Sequence, residues 1–273
     1  METLSLTRKR IIDSLKEGKR FDGRRNDQFR EISIETGVSN KAEGSARVKI
    51  GNTDVVVGIK MDVTTPFADS ANKGTLMVSA ELLPLSSSRY EYGPPKFEAI
   101  ECGRLVDRAI RESKVIDFEK LCIKEGEKVW SVFIDLYPIN DDGNLLDAFT
   151  IGALVALKNA RMPVYDEEKG KVQYGEWTSK KIPLTDTIPL LLSMHKVGES
   201  FFVDPNKEEE DTSETNLMIA MSGATGAPII HAMQKNGEDG LTSADFEEVL
   251  TLAEKVWKEM YPKLLKDLEH KSK

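Results

Sequence analysis

The sequence predicts an α+β fold in one continuous body, and three observations carry that reading. "ARVKIGNTDVVVGIKM" alternates Val48 and Ile50, then Val55, Val57, Ile59 and Met61, around a Gly-Asn turn, the period-two signature of a hairpin. From Phe97 to about Lys114 the period becomes helical, with Cys102, Leu105, Val106, Ala109 and Ile110 on one stripe. Such strand and helix patterns recur without a long Gly/Ser or Pro-rich linker between them, which argues for two similar β-rich halves with packed helices rather than independent domains. We place a terminal helix in 1–19 and a single domain in 20–273, its halves dividing near 125/126.

The elements follow in order. Residues 4–18 read as a short helix with Ile11, Ile12 and Leu15 as its apolar contacts and Gly18 as its stop. After the hairpin comes a third strand, "GTLMVSAELL", and then the loop "PLSSSRYEYGPPK". The helix from Phe97 places Glu101, Arg104, Arg108 and Arg111 at i, i+3, i+7 and i+10, so three arginines share one face. Strands at 121–125 and 129–139 precede a mostly apolar, hence central, helix that ends before Pro163. Short strands return from about Ile182 to Gln234, with "VDPNKEEEDTSETN" as a solvated loop among them. A last helix starts at the capping signal "TSAD" and is expected to kink or break at Pro262.

Composition narrows the function. The 273 residues are 40% hydrophobic, enough for a sizeable core. No stretch approaches the ~20 consecutive apolar residues of a membrane span, and the opening residues lack a signal-peptide core, so the expected address is the cytoplasm, with no membrane partner. Cys102 and Cys122 have neither disulfide-framework nor zinc spacing, and His195, His231 and His270 read as structural or surface residues. No cofactor and no metal site are expected. Net charge is −8, yet residues 1–125 hold 22 Lys and Arg against 20 Asp and Glu, leaving 16 against 26 for the remainder. A polyanion would have to be gripped locally.

Several stretches, in order, resemble the RNase PH family of phosphate-dependent 3′ exoribonucleases: "RFDGRR", "AEGSARVKIGNTDVVVG", "ELLPL", the Arg104/Arg108 helix, "DDGNLLDAFTIGALVAL" and "VDPNKEEEDTSETNLMIAMSG". The resemblance implies the RNase PH-like fold (ribosomal protein S5 domain 2-like). It also implies a phosphate held by a Gly-Ser/Thr-Arg run at the start of the central helix, and two carboxylates, six residues apart, for metal and acid/base work. Here the first run reads Gly143, Asn144, Leu145, Leu146, so hydroxyl and guanidinium are replaced by side chains that offer an anion nothing. The carboxylate positions fall on Glu210 and Asn216, and an amide is neither a general base nor a strong ligand for a hard cation.

That pattern resembles the non-catalytic RNase PH-like subunit of the archaeal exosome core. The resemblance implies an alternating hexameric ring of three heterodimers with a homologous catalytic subunit, single-stranded RNA as ligand, and RNA-binding cap subunits. It assigns RNA gripping to Arg104 and Arg108, with Arg111 on the same face, and makes "RFDGRR" a structural N-terminal element whose arginines face neighbouring subunits or RNA. The competing readings are a solvated arginine face paired with Glu98, Glu101 and Glu112, and an independently active metal-dependent nuclease using the Glu208, Glu209, Glu210 and Asp211 cluster. Tyr90 and Tyr92 could stack on bases, but loop tyrosines more often pack on their own body, and they stay outside the site.

Overall fold

The computed structural model describes the backbone of residues 5–223 and 227–270. Leu4, the expected first residue of the opening helix, and the side chain of His270 lie outside the described residues.

Two antiparallel-rich sheets share one core. The first takes β1 (Ile32–Thr36), β2 (Gly44–Ile50), β3 (Thr53–Thr64), β4 (Thr75–Ala80), β5 (Cys122–Lys124) and β6 (Lys128–Asn140), in the order β1-β2-β3-β6-β4 with β5 beside β6. The second is β10-β9-β11-β12, from β9 (Leu190–Val197), β10 (Ser200–Val203), β11 (Thr215–Ser222) and β12 (Ile229–Gly237). The expected hairpin is β2–β3, in register from Gly44↔Ile59 to Ile50↔Thr53, with Val48, Ile50, Val55, Val57, Ile59 and Met61 all buried. One strand has an orientation the periodicity did not carry. β4 runs parallel to β6, which requires the crossover through α2 (Phe97–Glu112).

α3 (Leu145–Asn159) is the central helix expected from its composition. Of its side chains, Phe149, Ile151, Leu154 and Leu157 sit in a cluster that also contains Val57 of the first sheet and Leu192 and Ile219 of the second. α1 (Ser5–Lys16) docks Ile11 and Leu15 on Val197 and Phe202. α5 (Ser243–His270) begins with the reciprocal capping box of Thr242 and Asp245 and packs Val249, Ala253, Val256 and Trp257 into the core. It runs on through Pro262 rather than breaking there, because Tyr261 just before the proline and Leu264 and Leu268 beyond it pack into the core and hold its last turns. Among the described residues no helix is long and apolar enough to cross a membrane.

Two further elements depart from the expected pattern. β7 (Arg161–Asp166) and β8 (Lys171–Lys181) form a separate two-stranded hairpin after α3. The acidic run is no solvated loop: Lys207–Thr212 folds as α4. Its cap, Asn206, accepts a hydrogen bond from the Glu209 N–H, while the Glu209 carboxylate accepts from the Asn206 N–H. That reciprocal box sets the helix start that four adjacent acids conceal.

Candidate functional site

The loop before α3 is built on two left-handed residues. Gly143 adopts φ +81°, and a Cβ there would meet the Asn206 backbone carbonyl carbon at 2.6 Å, so only glycine lets this loop lie against the start of α4. Asn144 follows at φ 59° as the N-cap of α3, without a side-chain cap bond. Its side chain instead donates to Asp204 Oδ1 at 2.8 Å, and Asp204 is itself left-handed, at φ 48°.

Asp204 is the hub of a buried ion cluster. It accepts from Arg24 Nη1, from the Arg30 N–H and from Arg30 Nη2, each at 2.7 Å. Burial pushes its carboxyl up, but the Arg30 hydrogen bonds and charge, joined by Arg24, outweigh burial and hold it below the ordinary value. Arg20 makes a two-pronged pair with Glu209 and donates to the Val203 carbonyl. The expectation that the "RFDGRR" arginines face neighbours or RNA therefore fails for Arg20 and Arg24, whose guanidiniums satisfy buried carboxylates of the same chain. Arg25 remains exposed.

The acidic run divides in the same way. Glu209 turns inward to Arg20, Asp211 pairs with Arg89, Glu210 pairs with Lys207 at 2.7 Å, and Glu208 points to solvent. Four consecutive carboxylates on a helix spread around its axis, so they meet four environments instead of one ion. Among the described residues no three His, Cys, Asp or Glu side chains are grouped to hold a metal.

Glu210 has a second partner, and it is the informative one: Oε1 accepts the Asn144 N–H at 3.2 Å. A carboxylate thus already occupies the positive end of α3. Lys207 neutralises it and also reaches Asp141 at 3.4 Å. Burial works against the Lys207 charge, but Glu210 and Asp141 prevail and raise its pKa. Asp141 accepts from the Tyr90 hydroxyl at 2.7 Å, and Arg89 Nη1 donates to Asp211 at 2.7 Å, so the loop 81–96 is latched onto the site from two sides. Arg89, Tyr90, Asp141 and Lys207 were not singled out from the sequence as site residues. The spacing of Lys207 to Glu210 and Asp211, i+3 and i+4, would have shown one of these contacts had the run been read as helix.

Arg89, Tyr90, Lys207 and Glu210 line a cavity of about 250 Å³ with Leu145, Leu146, His195 and Asn216. Leu145 belongs to the main core, and Leu146 packs against both it and the smaller cluster of Leu105, Ala109, Leu191, Met218 and Ala220. Asn216, on β11, pairs in register with His195 of β9. Its Oδ1 accepts no hydrogen bond from the described residues, and neither does His195 Nδ1. Burial drives His195 down to about 4, so its imidazole is neutral near pH 7. Cys102, whose thiol burial raises to about 12, is no nucleophile here.

The arginine face lies outside this cavity on α2. Arg104 is exposed and makes no ion pair with the described residues, Arg108 donates to Gln234 of β12, and Arg111 is held by Asp107 and by the Leu76 carbonyl. The expected glutamate partners are therefore not the ones used; Asp107, one turn before Arg111, is the closer acid.

A two-sheet α+β body around a central buried helix, with the Glu210 carboxylate on the N-cap N–H of that helix, defines the class. The chain belongs to the 3′ exoribonuclease family: its domain 1 pattern matches residues 28–163 and its domain 2 pattern residues 187–256. The chain is 43% identical to exosome complex component Rrp42 of Methanothermobacter thermautotrophicus over 91% of its own length and 90% of that protein. To the same component of Thermococcus onnurineus it is 49% identical over 79% of each. Among solved structures it resembles a chain of the Archaeoglobus fulgidus exosome with RNA bound to the active site, at TM-score 0.83 and 39% identity, over 94% of this chain and 98% of that one.

Proposed function

We propose that this chain is a non-catalytic subunit of an archaeal exosome core, gripping RNA and completing the active site of a homologous catalytic subunit that degrades it 3′ to 5′. The observation that carries this reading is the Glu210 carboxylate seated on the Asn144 N–H, where a phosphate would need to sit, flanked by Leu145 and Leu146. An incoming anion would be repelled by that charge and would find no donor to replace the lost hydroxyl and guanidinium. Asn216 supplies no carboxylate either. The overall likeness to exosome components supports a multi-subunit complex that handles RNA; in this proposal it is an alternating ring of three heterodimers, with cap subunits above it, working in the cytoplasm.

Arg104 and Arg108 take the RNA-gripping role, as unburied cations with no carboxylate partner among the described residues. Arg111 shares their face, but its pair with Asp107 leaves less of its charge for phosphate. In phosphate buffer the purified chain releases no nucleoside diphosphates from RNA. Mixed with the catalytic subunit it restores degradation, and Arg104→Ala with Arg108→Ala lowers that rate. Degradation by the isolated chain at the rate of the mixture would overturn the proposal.

A further inference from the structure

From residue 164 on, and so including all of β8, the β7–β8 hairpin lies between the two family-matched segments and outside both. It is a sheet of its own, so what it presents to solvent is not dictated by the shared core. Tyr174 of β8 is 59% exposed and yet fixed in place. Lys60 Nζ of β3 stands 4.7 Å from its ring centroid, and that ammonium is in turn held by the Glu43 carboxylate at 2.7 Å and the Lys41 carbonyl at 3.0 Å. The Tyr174 hydroxyl lies beside Asp62. One face of the ring is thus covered by an anchored cation, and its exposure is left to the other.

Three residues on, Trp177 is 38% exposed, whereas Trp130 and Trp257 are buried. Around these rings β8 carries Lys171, Lys180 and Lys181, all exposed and without an ion pair to the described residues, against Glu176 alone; the acids Asp166, Glu167 and Glu168 gather at the turn. On this extended strand two exposed rings lie in succession, flanked by unpaired cations at 171 and at 180–181, which offers stacking faces for bases and counter-charge for the phosphates of a single-stranded nucleic acid. A strand built for protein docking would show a row of adjacent apolar groups, and "KVQYGEWTSKK" has none.

We propose that β8 is an auxiliary platform for single-stranded RNA, with one base stacking on the open face of Tyr174, a second on Trp177, and Lys171, Lys180 and Lys181 neutralising phosphates. The proposal rests on the RNA-handling reading above and adds a contact outside the arginine face.

Intrinsic fluorescence tests it, because Trp177 is the exposed tryptophan. Titrating the full chain with a short oligoadenylate should quench the emission, and the quench should weaken as salt rises and vanish in Trp177→Phe. Tyr174→Leu should weaken binding about tenfold, the typical loss of one stacked base, while Tyr174→Phe behaves as wild type. Lys180→Ala with Lys181→Ala should flatten the salt dependence. No quench in wild type, an undiminished one in Trp177→Phe, or equal affinity for Tyr174→Leu and Tyr174→Phe overturns the proposal. So does a Tyr174→Leu chain that binds RNA normally but fails to assemble with the catalytic subunit, which would make the hairpin a protein contact. Arg104→Ala with Arg108→Ala, run in parallel, separates the two readings. If that variant depresses the assembled activity while the wild-type chain shows no quench, the platform falls and the proposed function stands.

Discussion

Asp204 and Asp147 are both buried, yet their neighbours drive them in opposite directions. The arginines around Asp204 hold its folded-state pKa below the unfolded value of 3.8, so its contribution to stability is present above that pH and is lost as pH falls through the depressed value. Burial pushes Asp147 up to about 7, against the Ser193 hydroxyl at 2.7 Å, the Ser193 N–H at 3.3 Å and the Asn144 side chain, none of which carries a charge. A raised carboxyl has the reverse sign: its favourable contribution is complete below 3.8 and is lost as pH climbs toward 7. Urea melts from pH 3 to 8 should therefore show Asp147→Asn flattening the decline of stability between about 4 and 7. Asp204→Asn should flatten the acid limb, and it should also cost about 3–5 kcal/mol near pH 7, because Arg24 and Arg30 then stay buried without their carboxylate. Unchanged slopes in both variants would refute this assignment.

At the scale of elements, α4 shows where the sequence was legible and where it was not. The long elements could be read because their periodicity and their burial coincide: β2, β3, α2 and α3 each bury the residues that their spacing selects. α4 has six residues and no apolar stripe, so it gives no helical period; its signal was the pair Asn206 and Glu209, three apart. The parallel pairing of β4 was hidden because alternation fixes a strand's faces and not its neighbour's direction. β8 was hidden because both its faces are largely exposed and carry no alternation. The proposed losses at Leu145, Leu146 and Asn216 are readings of the sequence alone, whereas the Glu210 carboxylate on the Asn144 N–H depends on a contact across 66 positions, which no local pattern encodes. The helix makes a graded prediction measurable by chemical denaturation. Asn206→Ala should cost about 1 kcal/mol for the lost cap, Glu209→Gln about 3–5 kcal/mol for stranding Arg20, and exposed Glu208→Gln within about 0.5 kcal/mol of wild type. Equal effects at 208 and 209 would contradict the division of the acidic run.

At the scale of the molecule, the two sheets are joined through what lies between them. α3 packs on β2 and β3 on one side and on β9 on the other, and α5 closes the second sheet over the same cluster. We propose that residues 20–273 therefore unfold as one unit, even though the family's two patterns divide the chain between 163 and 187. A shared buried helix cannot keep its apolar surface covered if either sheet leaves, so separating the halves would expose Phe149, Leu154 and Leu157 together. Phe149→Ala opens a cavity at that junction and should cost about 3–5 kcal/mol. The informative observable is the shape of the transition as well as its midpoint. Calorimetry should show one peak in wild type and one peak, shifted to lower temperature, in the variant, with near-UV and far-UV dichroism changing together. If the variant instead splits into two transitions, the sheets are separately stable and the single-unit reading is wrong. A single peak would mean that strain placed at α3 is felt by both the arginine face on α2 and the Glu210 contact at the Asn144 N-cap, whose geometry depends on the same helix.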